Sequence, residues 1–260
     1  MFPIAHAWLI ERLAAAPTPA HYLGCVWPDM LFESPLTHTE SHRSGARLAE
    51  AVTSLPAGPA RNEFRAFVVG ALSHGADPHG FDWYSDEEYG RRPASERGYA
   101  FQQAVAISED AARACGVAPD LGWWKAHNIV EMAFEQPLYL AETHLGASLA
   151  SACSDAALCH RIAEALSGVF GKPADALAGA MLRFPSVVTF APVTTHPQAE
   201  AYALQTRLKH VGSAPDVAAI AALIERAQEI IAPTRDEYLA TCVAAVGRMI
   251  GETLPAPENE

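Results

Sequence analysis

Phe64-Arg-Ala-Phe67-Val68-Val-Gly70-Ala71-Leu72-Ser-His74-Gly75-Ala76-Asp77-Pro78-His79 carries a helical repeat and a ligand pattern together. Phe64, Phe67, Val68, Ala71 and Leu72 recur at i, i+3, i+4, i+7 and i+8, the stripe of a helix that buries one face. His74 falls seven residues after Phe67, so its imidazole points where the core stripe points. Asp77 stays near that face. Pro78 disfavours helical geometry at Asp77, so the helix is expected to stop there and release His79 into a turn that folds back toward the same point. One histidine in this setting would read as a core residue. Three ligand-type residues within six positions, beside the small Gly70, Ala71, Gly75 and Ala76, read as a metal-binding group.

The same periodicity recurs outward along the chain. Ile220, Leu223, Ile224, Ala227 and Ile231 repeat the stripe, whereas the only strand-like run is Ser186-Val-Val-Thr-Phe-Ala191, closed by Pro192 and expected to be a short extended segment. Prolines at 17, 19, 56, 59, 78, 93, 119, 173, 192 and 215 divide the chain into about eight helical segments. The expected fold is therefore all-α, a multi-helix bundle forming a single domain over residues 1–260. Its metal-site half is 1–145 and its C-terminal helical half 146–254, with a frayed tail from Leu254 to Glu260.

Half of the 260 residues are hydrophobic and 18% are charged, a composition that can bury a full core. The formal charge of -12 leaves no basic stripe along which phosphates could release counterions, which argues against duplex nucleic acid as a partner. Bound divalent cations would reverse the local potential of a carboxylate-rich pocket, so an anionic substrate is compatible with that charge. Cys25, Cys115, Cys153, Cys159 and Cys242 lack the paired short spacing of a structural zinc site and read as buried thiols in a reducing compartment. The N-terminal stretch has neither the basic region nor the cleavage site of a secretory signal, and no run approaches the roughly 20 apolar residues of a membrane span. A cytoplasmic protein without a transmembrane segment is expected.

Seven of the eleven histidines lie in the first half of the chain, at 6, 21, 38, 42, 74, 79 and 127. His127 and Glu131 form an i, i+4 pair that can present imidazole and carboxylate to one site, although the same spacing, extended by Glu135, also describes a solvated stripe. The helix around them is apolar almost all round, and a buried carboxylate needs a hydrogen-bonding partner or a cation. His38 and His42 can chelate one ion if the segment is helical; if Thr37 or Thr39 is the N-cap, one of them precedes the helix and the other alone need be a ligand. Asp29 follows Trp27-Pro28, a pairing that by itself reads as a turn, and His6 stands in an apolar stretch where a core histidine is the default.

Taken in order, His6, Gly24-Cys-Val-Trp-Pro-Asp29, His38 or His42, the segment from Ala66 to His74 with Asp77 and His79, and His127 with Glu131 resemble the zinc-dependent phospholipase C family over roughly residues 1–135. That family and the related S1-type nucleases are all-α and hold up to three zinc ions that cleave phosphate esters. The resemblance implies one zinc on His74, Asp77 and His38 or His42, a second on His79, His127 and Glu131, and a third on His6 with Asp77 bridging. It also implies that Asp29 is the acid/base carboxylate beside the attacking water. The three-residue step from His74 to Asp77 is one shorter than the family pattern.

The expected activity is metal-dependent hydrolysis of a phosphodiester or phosphomonoester, on a small or lipid-like phosphorylated substrate, by a metal-activated water. Two or three Zn2+ suit the mixed nitrogen and oxygen donors, and Fe or Mn are also compatible with them. Trp27, Phe81, Trp83, Tyr84 and Tyr89 are candidates for a substrate wall or for core packing, and Asp82–Tyr89 for a lid. Two alternatives are a carboxylate-bridged di-iron enzyme, which would call for paired Glu-x-x-His motifs that the chain lacks, and a non-catalytic helical protein stabilised by the cluster. No nucleophile elbow, phosphate loop, dinucleotide fingerprint or His-Glu-x-x-His helix is present.

Overall fold

The apolar stripes become helices as their periodicity predicts. The computed structural model describes residues 3–31, 34–86, 98–188, 190 and 193–254. The helices are α1 (Pro3–Leu13), α2 (Pro19–Val26), α3 (His38–His42), α4 (Gly45–Ser54), α5 (Pro59–His74), α6 (Phe81–Asp86), α7 (Tyr99–Ala104), α8 (Ser108–Cys115), α9 (Gly122–Ala141), α10 (His144–Ser154), α11 (Ala156–Phe170), α12 (Ala174–Arg183), α13 (Thr195–Lys209), α14 (Val217–Ile231) and α15 (Arg235–Thr253). There is no strand among the described residues. The fold is all-α. Ser186 closes a 3-10 turn, Phe184–Ser186, and Val187 keeps helical angles, so the start of the expected extended segment is helical; residues 189, 191 and 192 lie outside the described residues. There are more helices than the prolines delimit because short segments such as α3 and α6 form brief helices of their own.

One contiguous apolar core runs from Ile4 to Leu254, so the two halves of the chain share it. α9 lies against α1, α7, α8 and α14, and α15 against α1, α5 and α6. Leu254, where a frayed tail was expected to start, is buried, and its carbonyl accepts a hydrogen bond from Arg65; residues 255–260 lie outside the described residues. The five cysteines are free and buried. Among the described residues no helix is long and apolar enough to cross a membrane.

The tightest packing is between α2 and α5. A Cβ on Gly24 would lie 2.0 Å from the Phe67 carbonyl oxygen, and one on Gly70 would lie 2.3 Å from that of His21, so the two backbones touch where only glycine fits. This approach brings the Cys25 carbonyl within 2.7 Å of His74 Nδ1. Helix propensity alone would favour alanine over glycine by about 1 kcal/mol. Gly70→Ala should instead destabilise the protein by about 1–3 kcal/mol through overpacking. Gly168, in α11 with open space around its missing Cβ, is the control, and alanine there should stabilise by about 0.4–1 kcal/mol. Denaturant unfolding of the two variants reads both signs, and equal effects would remove the close contact from the account.

Candidate metal centre

Five helices and one turn deliver the site. His6 comes from α1, His42 from α3, His74 from the last residue of α5, Asp82 and Asp86 from α6, and His127 and Glu131 from α9, while Asp29 ends the 3-10 turn Trp27–Asp29. α1 starts where Ile4 and Ala5 donate their N–H groups to the buried Glu135 carboxylate, at 3.1 and 2.9 Å. That bond satisfies two donors the helix start cannot satisfy itself and fixes His6 opposite α9. Glu135 therefore caps a distant helix, and of the two readings of its spacing with His127 and Glu131 the solvated stripe does not form: all three are buried.

Thr37 is the N-cap of α3, in a capping box with Glu40, so both His38 and His42 are helical. Only His42 turns inward. It is 3% exposed, and its Nε2 lies 3.5 Å from Asp29 Oδ1 and 3.3 Å from Asp82 Oδ2. His38 is exposed and stacks on the His42 ring at 3.8 Å. His74, fully buried, places Nε2 3.1 Å from Asp82 Oδ2 and 4.0 Å from Asp29 Oδ2. His6 stacks on His74 at 3.7 Å and directs Nε2 to Asp82 Oδ1 at 3.5 Å. On α9, His127 Nε2 is 2.6 Å from Asp86 Oδ1 and 3.3 Å from Glu131 Oε1, which also accepts from the Ser85 hydroxyl at 2.6 Å.

Three groups result: His6–His74–Asp82, Asp29–His42–His74 and Asp86–His127–Glu131, each with its donor atoms within 4.8 Å of one another. Three of the four imidazoles are oriented through Nδ1, by the His38 carbonyl for His42, the Cys25 carbonyl for His74 and the Asn128 side chain for His127. That leaves Nε2 facing the carboxylates. A further surface group, Glu11–Glu142–His144, is satisfied by its own contacts, since Arg12 pairs with Glu142 and both the Tyr22 hydroxyl and His144 bond Glu11.

Besides His38, two residues expected in the site stand outside it. α5 ends at His74, four residues before Pro78, because the N–H groups of Ala76 and Asp77 turn to the His42 carbonyl at 2.8 and 3.3 Å. Asp77 is thereby exposed, and its own carbonyl accepts from Gly45. His79 is also exposed and stacks on Trp83 at 3.7 Å. Their places are taken by Asp82 and Asp86, which sequence reading assigned to a lid; the i, i+4 spacing of the two aspartates was the available signal, obscured by Pro78 and Gly80 just before them. Residues 87–89, the rest of that lid including Tyr89, lie outside the described residues. Trp27 is a core residue against Phe67 and Phe170, and Phe81 is buried edge-on to His6. Trp83 and Tyr84 border a cavity of about 310 Å³ with Tyr99 and Tyr238.

Electrostatics follow from this crowding. Burial opposes charge on His42, but its hydrogen bonds to Asp29 and Asp82 prevail and raise its pKa to about 10. His127 is raised to about 10 in the same way, burial being outweighed by Asp86 and Glu131. His6, by contrast, is pushed well down by burial and by His74. The surrounding carboxylates thus favour the protonated forms of His42 and His127. No family model, curated protein or solved structure matches this chain.

Two outcomes are expected if these groups hold metal. Asp82→Asn lowers bound zinc by at least one equivalent in elemental analysis, whereas Asp77→Asn leaves it unchanged; the reverse pattern would restore the ligand set expected from sequence. Zinc must also displace protons from His42 and His127, so its affinity should rise with pH from 6 to 8, by about tenfold per unit for each displaced proton. A competition titration that gives a flat profile would contradict this assignment of the protons.

Proposed function

We propose that the protein is a metal-dependent hydrolase that cleaves a phosphate ester of a small or lipid-like substrate. The observation that carries this reading is the convergence of four imidazoles and four carboxylates into three adjoining groups, with His74 shared by two of them. The donor set fits a divalent cation of the zinc type. The buried ring nitrogen His6 Nδ1 has no hydrogen-bond partner, and His74 Nε2 meets only the Asp82 carboxylate, at 3.1 Å and off the ideal angle, so a bound cation would satisfy donors that the fold leaves poorly paired. The resemblance of the first half to the zinc-dependent phospholipase C family supports the same reading, with Asp82 and Asp86 where Asp77 and His79 had been expected.

When bound, the cations supply charge for a developing phosphoryl oxyanion and lower the pKa of a water. The chain's own contribution is orientation and proton handling. Nδ1 anchors hold His42, His74 and His127 so that Nε2 is available, and the Ser85 hydroxyl holds one oxygen of Glu131. Asp29, with 21% of its side chain exposed and an oxygen directed at each of His42 and His74, is the carboxylate through which a water's proton can leave toward solvent. Asp29 thus combines a place among the donors with the acid/base role.

The test is hydrolysis of bis(p-nitrophenyl) phosphate and p-nitrophenyl phosphate by zinc-loaded protein, purified without an affinity tag. Turnover should appear with zinc, vanish with chelator, and fall by about 10²–10⁴ in Asp29→Asn. Wild-type turnover in Asp29→Asn would remove its acid/base role, and zinc-loaded protein inert on both esters would contradict the phosphoesterase reading.

A further inference from the structure

Helix α13, outside the region of family resemblance, reaches the centre through a hydrogen-bond relay. His127 Nδ1 lies 3.0 Å from Asn128 Oδ1, Asn128 Nδ2 donates to the Tyr202 hydroxyl at 3.0 Å, and that hydroxyl donates to the Lys125 carbonyl at 3.4 Å. The last member fixes the direction of all the others. A carbonyl has no proton to give, so the hydroxyl spends its proton there and offers only lone pairs to Asn128. Asn128 must then turn its amide nitrogen to Tyr202 and its oxygen to His127. An oxygen at Nδ1 keeps a proton on that atom, which leaves the Nε2 lone pair for the side facing Asp86 and Glu131.

His127 needs this device more than the other histidines do. His74 meets a backbone carbonyl, which can only accept, and His42 meets the His38 carbonyl and the Ser41 hydroxyl, whose own proton goes to the Pro28 or His38 carbonyl. His127 meets a carboxamide, which presents either an acceptor or a donor depending on a rotation of its last bond. Tyr202 removes that choice, and it is itself held in place: it is 7% exposed, with the Lys125 ammonium 5.2 Å from its ring centroid and bonded to Thr206.

We propose that Tyr202, acting through Asn128, is a positioning residue that sets the tautomer of His127 and thereby the cation affinity of the Asp86–His127–Glu131 group. The proposal rests on the reading of these groups as a metal centre. It requires an acceptor at position 128 and a hydroxyl at position 202, and it assigns a role in the site to the C-terminal half.

The full-length chain titrated with zinc against a chromophoric chelator tests it, using wild type, Asn128→Asp, Asn128→Leu and Tyr202→Phe. Asn128→Leu should weaken one zinc equivalent by about 10–100-fold, Tyr202→Phe should weaken the same equivalent less, and Asn128→Asp, which keeps the acceptor, should stay near wild type. A purely structural role would not separate the aspartate from the leucine variant. Wild-type affinity in Asn128→Leu, or a loss in Asn128→Asp equal to that in Asn128→Leu, overturns the proposal. If Asn128→Leu fails to fold, Tyr202→Phe, which keeps the ring, decides the matter, and unchanged affinity in it overturns the relay. Wild-type protein that takes up no zinc overturns the metal-centre reading itself, a result distinct from a relay failure because it precedes any comparison of variants.

Discussion

The carboxylate of Asp82 faces imidazoles from three helices, with Oδ1 toward His6 and Oδ2 toward His42 and His74. A carboxylate with only 16% of its side chain exposed is expensive unless positive charge or hydrogen-bond donors surround it. Everything around Asp82 meets that requirement. α1 is pinned by Glu135 so that His6 arrives, α3 is capped so that His42 turns inward, and α2 and α5 touch through glycines so that His74 is oriented by a carbonyl. Removing a partner from such a group leaves a buried charge uncompensated, which is why the site and the packing of the first half are one problem.

Much of this was legible in the sequence. The helical stripe from Phe64 to Leu72 predicted α5 and the inward direction of His74, and the stripe from Ile220 to Ile231 predicted α14. His6, His42, His127 and Glu131 were each recognisable as ligand types, and each lies in one of the convergent groups. Asp29 was assigned to acid/base work on resemblance alone, and it stands among the donors as well. What failed was local geometry after His74. Proline at 78 suggested where the helix would end, but the competing acceptor, the His42 carbonyl, comes from a segment more than thirty residues earlier in the chain. A long-range bond of that kind leaves no periodicity to detect. Once the turn is drawn to His42, Asp77 and His79 face outward, and a new single-turn helix presents Asp82 and Asp86 in their stead.

The C-terminal half illustrates a second limit. Its helices read as apolar packing, and most of their residues are that. Tyr202 and Thr206 of α13 nevertheless meet the segment of α9 beside His127 through polar contacts. A tyrosine carries no sequence signature of orienting, through an asparagine, a histidine some seventy residues away. Such support is set by which helix faces meet in the folded chain, and only the assembled structure displays it.

The central claim, that the convergent imidazoles and carboxylates form one metal centre built around Asp82 and extended along α6 to Asp86, is tested most directly by anomalous diffraction at the zinc edge from crystals of the zinc-loaded protein. The account predicts two or three anomalous peaks, with at least one between Asp82 and the rings of His42 and His74 and another between Asp86, His127 and Glu131. Peaks confined to surface positions such as Glu11 and His144, or none within reach of Asp82, would contradict it.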